Sequence, residues 1–65
     1  MTLFAREALD GSCKMSLRGI PGHPVDGIAA HFGGGGHALA AGVTMREGTL
    51  EECVSRVLEQ MLQSI

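Results

Sequence analysis

Sixty-five residues allow one small domain at most, and a chain of that size buries only about 60 % of the surface it exposes when unfolded. An apolar content of 45 % sets it apart from disordered chains. A net charge of −2 excludes the basic footprint of a general nucleic-acid binder, so phosphate recognition has to be local.

Thr2 to Leu9 reads as a first strand of imperfect alternation. Asp10-Gly11 follows, a dipeptide that favours a type I′ hairpin between two apolar runs. The second run alternates cleanly, with Cys13, Met15 and Leu17 on one face and Lys14, Ser16 and Arg18 on the other. A polar strand face of this kind most often meets only water. Gly19 to Pro24 is a loop by its Gly and Pro content. Asp26 is placed to N-cap a short helix running to about Phe32, with Ile28, Ala29 and Phe32 inward and Gly33 at the C′ position.

Phe32-Gly33-Gly34-Gly35-Gly36-His37-Ala38-Leu39-Ala40-Ala41-Gly42 is the stretch on which the chain is organised. It holds half of the ten glycines. Glycine permits positive φ and close backbone approach. A glycine run opening into a helix-forming patch at Ala38–Ala41 would present free N–H groups and a helix N-terminus to an anion. His37 would add a donor at the rim. A flexible linker is the competing reading, but the run contains no Ser and is flanked by Phe32, Leu39 and Val43. No Lys-Ser/Thr follows the glycines, and the spacing is not that of a dinucleotide fingerprint.

Gly42 to Met45 reads as a short strand and Arg46 to Gly48 as a turn. Thr49-Leu50-Glu51-Glu52 is a capping box. The helix it opens should run to about Ser64, with Leu50, Val54, Val57, Leu58, Met61, Leu62 and Ile65 as its buried stripe. Its other face is acidic and suits structure, not phosphate. The expected fold is therefore α/β in the order β-β-α-loop-β-α, a small mixed sheet with both helices on its apolar face. Cys13, Met15, Leu17, Ile28, Phe32, Val43, Met45, Val54, Val57, Leu58 and Met61 form the expected core.

Between Arg18 and Arg46 the one formally charged residue is Asp26, so a phosphate held there meets little repulsion, and Arg18 is its best cation. Cys13 and Cys53 read as buried thiols of a reducing compartment, and their spacing does not require a disulfide. The histidines and cysteines lack the paired spacing of a zinc site. No nucleophile with an evident base and no two-metal ligand cluster stands out, so the residues describe a binding module. With neither a signal peptide nor a membrane-spanning run, the expected location is the cytoplasm and no membrane partner is expected.

The glycine–histidine run with its Ala-Ala-Gly, together with Ser16-Leu17-Arg18 and Asp26-Gly27-Ile28-Ala29, resembles the C-terminal DHH-associated domain of DHH-family phosphoesterases. The nanoRNases, which also act on 3′-phosphoadenosine 5′-phosphate (pAp), and the RecJ exonucleases are the nearest by pattern. The resemblance covers roughly Met15 to the C-terminus. It implies a two-domain enzyme in which a DHH domain holds two manganese ions, while the associated domain binds the phosphate and bases of a short single-stranded oligonucleotide or nucleotide. On that pattern Ser16 and Arg18 match strand residues that contact phosphate, and Gly34, Gly35, Gly36 and His37 match the loop that closes on it. Catalytic residues, metal ligands and cofactors are expected to lie in the separate DHH domain, since no Asp-His-His motif occurs here.

Residues 1–65 thus read as a single partial DHH-associated domain, its C-terminal part. Gly19 stands where a Ser often follows the Arg, which removes a hydroxyl contact. Sheet edges left unpaired in so short a domain leave a homodimer open. Two other classes fit less closely: a tRNA-binding or dimerisation domain related to the C-terminal domain of alanyl-tRNA synthetase, and a purely structural oligomerisation domain.

Overall fold

The computed structural model describes residues 1–64. Its elements are β1 (Thr2–Glu7), β2 (Cys13–Arg18), α1 (Asp26–His31), β3 (Gly35–His37), β4 (Ala40–Met45) and α2 (Leu50–Gln63). The strands form one sheet in the order β1-β2-β4-β3. The α/β class and the element order agree with the sequence reading, with two differences. The stretch read as a loop contains the short strand β3, and every strand pairing is antiparallel, so the sheet is not mixed.

Alternation in β2 sets the core. Cys13, Met15 and Leu17 are buried, while Lys14, Ser16 and Arg18 are exposed. Val25, Ile28, Ala29, Val43, Cys53, Val57 and Met61 close the core over them from the helices and β4. Phe32, Met45 and Val54 pack at its margin. Leu58 and Leu62, expected inside, are exposed, and Ile65 lies outside the described residues. A small sheet accepts only one narrow stripe of α2, and Cys53, Val57 and Met61, spaced by four, supply it. Val25 was not foreseen as core; its N–H donates to the Ala38 carbonyl at 2.9 Å, which pulls the start of α1 inward.

The local signals resolve unevenly. Thr49 and Glu52 form the reciprocal capping box: Glu52 N–H donates to Thr49 Oγ1 at 3.2 Å, and Thr49 N–H donates to Glu52 Oε1 at 3.0 Å. Asp26 is not the N-cap of α1. Val25 holds that position without a side-chain cap, and Asp26 contributes its charge in the first turn. The hairpin between β1 and β2 is not a type I′ turn, which needs positive φ at both central residues. Here Gly11 alone has positive φ (87°), and its N–H donates to the Ala8 carbonyl at 3.0 Å. Glu7 then pairs with Cys13 across the longer connection. Ser12 explains the extra length: it is buried, and its N–H and Oγ both donate to Asp10 Oδ1, at 3.0 and 2.6 Å. These bonds hold the Asp10 carboxyl down at about 2, with a smaller contribution from Arg46.

Candidate functional site

One face of the sheet carries both helices and the other is bare. Direct partners in an antiparallel pair stand on the same face, so the register defines what the bare face presents. Thr2, Arg18, Ala40 and His37 form one row across the four strands; Phe4, Ser16, Gly42 and Gly35 form the next. Ser16 and Arg18, neighbours on one face of β2, therefore share that face with His37, which is remote from them in the chain. Arg18 and His37 flank β4 at two strand spacings, about 10 Å between backbones. Among the described residues none of these three side chains has a hydrogen-bond or ion-pair partner.

Beside Ser16 and Arg18 lies a shallow, open depression of about 300 Å³, lined by Ser16, Leu17, Arg18, Gly35, Gly36, Ala40, Ala41 and Gly42; His37 shares the face but is not among the lining residues. Its floor is almost free of side chains. Gly42, which had not been singled out as a site residue, stands directly between Ser16 and Gly35. A glycine inside a strand marks close backbone approach, and that is the signal by which sequence could have found it.

The glycine run does three different jobs. Gly33 and Gly34 terminate α1. Gly33 adopts φ 81° and its N–H donates to the Ala30 carbonyl at 3.0 Å; Gly34 N–H donates to the Ala29 carbonyl at 2.8 Å. This is the Schellman arrangement, with Gly33 at C′ as expected. It also uses both amides, so neither is free for an anion. A Cβ on Gly34 would collide with the Gly42 carbonyl, so Gly34 packs against the β4 backbone, and it is not among the residues that line the depression. Gly36 has φ 147°, and a Cβ there would come within 2.6 Å of the Ala40 carbonyl and Ala41 Cα. Gly35 differs: nothing lies within 4 Å of a Cβ built there, and its φ is not positive. Local packing leaves room for a side chain at 35, so the empty space belongs to the depression.

The helix expected at Ala38–Ala41 does not form. Ala38 and Leu39 make the turn between β3 and β4, so no helix N-terminus points at the site. The turn is clamped, with the Leu39 carbonyl accepting from Gly19 N–H at 3.1 Å and the Ala38 carbonyl from Val25 N–H. That crossing also explains Gly19. A Cβ there would sit 2.6 Å from the Ala38 carbonyl and 2.7 Å from that of His23, so the Ser of the resembling pattern has no room in this chain. Among the described residues no three His, Cys, Asp or Glu side chains converge as metal ligands, and no helix is long and apolar enough to cross a membrane.

A helix-backed antiparallel sheet with a bare, glycine-floored face beside an unpaired arginine defines a small domain with an anion-compatible surface. The chain belongs to the DHHA1 domain family, whose pattern matches residues 1–64. It is 35 % identical over 65 residues to the bifunctional oligoribonuclease and PAP phosphatase NrnA of Thermus thermophilus. That match takes in all of this chain and 20 % of the relative, so the chain spans about a fifth of that protein's length. Among solved structures there is no significant match.

Proposed function

We propose that this chain is the substrate-binding domain of a manganese-dependent DHH-family phosphoesterase, and that it holds the phosphate of a short oligonucleotide or of pAp for hydrolysis by a catalytic DHH domain. The observation that supports the reading is that Ser16 and Arg18 line one glycine-floored depression, with His37 on the same sheet face, in a chain of the DHHA1 family. Arg18 offers a planar fork to the phosphate oxygens. Ser16 and His37 donate from either side, and the bare backbone at Gly35 and Gly42 lets the ligand sit low between them. Manganese would be held by the partner domain on this reading; among the described residues of this chain no three His, Cys, Asp or Glu side chains converge.

The test is titration of the chain with a 5′-phosphorylated dinucleotide and with its dephosphorylated form, followed by amide NMR. The phosphorylated ligand should bind more tightly and shift the amides of Gly35, Gly36 and His37. Arg18→Lys and His37→Ala should each reduce that preference by about tenfold or more, as expected for bonds to a charged group worth ~1.5–3 kcal/mol. Equal binding of the two ligands would refute the site.

A further inference from the structure

Phe4, Arg6 and Lys14 belong to no motif, yet the register places them on the face that carries Ser16 and Arg18. Phe4 pairs with Ser16, and Arg6 pairs with Lys14, which pairs in turn with Thr44. Phe4 is 68 % exposed. A lone exposed aromatic is ordinary; this one stands between the row of Arg18 and the row of Arg6 and Lys14. Three of the chain's five Lys and Arg residues therefore occupy the bare face. None of its seven carboxylates does. Glu7 pairs with buried Cys13 and so belongs to the covered side, and the other six lie in the hairpin, the helices and the Glu47 turn. A chain of net charge −2 thus presents one wholly cationic sheet face.

We infer that Phe4, Arg6 and Lys14 form a second subsite, which takes a base and a following phosphodiester of a single-stranded oligonucleotide whose terminal phosphate lies at Ser16, Arg18 and His37. The inference rests on the proposed phosphate site and extends it. Arg18 and Lys14 are four residues apart on β2, about 13 Å at ~3.3 Å per residue. Phe4 lies in the row midway. A base stacked on the Phe4 ring would therefore be flanked by one cation on each side along the strand. Stacking on an aromatic is tolerant of base identity, and backbone phosphates are met by the cations, so the arrangement selects chain length over sequence. A mononucleotide fills the Arg18 and Phe4 positions and leaves Lys14 and Arg6 unused.

The experiment titrates the 65-residue chain with inorganic phosphate, 5′-AMP, a 5′-phosphorylated adenylate trimer and the dephosphorylated trimer. Phe4→Ala should weaken AMP and trimer by about 5- to 160-fold, the range for loss of one stacked base, and leave inorganic phosphate unchanged. Phe4→Tyr should restore binding. The double variant Arg6→Gln/Lys14→Gln should weaken the trimer and lower its salt dependence, with AMP unaffected. All three positions are exposed, and unchanged thermal unfolding verifies that each variant is folded. If the wild-type chain prefers the phosphorylated trimer to its dephosphorylated form but these variants bind it equally well, the second subsite is wrong and the phosphate site stands. If the wild-type chain shows no phosphate preference, both fall together.

Discussion

Two adjacent glycines separate packing from binding. Gly34 has no space for a side chain, so Gly34→Ala should destabilise the fold by about 1–3 kcal/mol, the usual cost of overpacking. Gly35→Ala meets nothing and should leave stability within about 0.5 kcal/mol of wild type. Its methyl group would stand on the floor of the depression, so affinity for a phosphorylated dinucleotide should fall. Chemical denaturation of both variants, with titration of the second, checks the pair; equal stability losses would refute the assignment. Asp10 gives a test in acid. Its carboxyl sits at about 2, below the ordinary 3.8, because Ser12 hydrogen-bonds the charged form. A lowered folded-state value means the stabilisation is complete above about pH 4 and is lost as pH falls toward 2. Asp10→Asn should remove that part of the acid dependence, read as thermal midpoints between pH 2 and 5. The exposed Arg46–Asp10 pair at 3.3 Å adds little, as surface pairs do.

Within elements, α2 carries the sharpest contrast. Thr49→Ala should cost about 1 kcal/mol through loss of the N-cap. Met61 and Leu62 are neighbours in sequence, but Met61 is buried and Leu62 is 69 % exposed. Met61→Ala should cost about 2–5 kcal/mol. A domain below about 70 residues rarely has more than ~3–5 kcal/mol from its core, so that variant should lose cooperative unfolding. Leu62→Ala should stay within about 0.5 kcal/mol. Similar losses at both positions would mean that α2 is rotated about its axis. For α1 the decisive feature is its end: Gly33 and Gly34 close it by using amides that the glycine pattern had seemed to offer a ligand.

At the scale of the whole molecule, charge segregation matters more than net charge. Apart from Glu7, at the end of β1 in register with buried Cys13, the acidic residues lie on the helices and turns, and the sheet presents Arg6, Lys14 and Arg18 to solvent. The chain by itself should be catalytically silent, since it carries no Asp-His-His motif and no convergent metal ligands among its described residues. Release of mononucleotides from a labelled dinucleotide with added manganese checks this, and turnover above buffer that His37→Ala abolishes would overturn it.

Local chemistry written within a few residues was legible without coordinates. The period-two alternation of Cys13 to Arg18, the Thr49–Glu52 capping box and Gly33 at a helix end all rest on contacts between near neighbours, so the sequence by itself determined them. The family was legible too, from the glycine–histidine run and Ser16-Leu17-Arg18. What separates the roles of Gly34, Gly35 and Gly36 is which distant backbone each one faces, and no spacing in the sequence encodes that. The same holds for β3, for the outward turn of Leu58 and Leu62, and for Phe4 beside Ser16. Each depends on strand register and on how much of a helix a four-stranded sheet can cover. Both arise only when segments remote in sequence compete for one small core, so only the tertiary structure decided them.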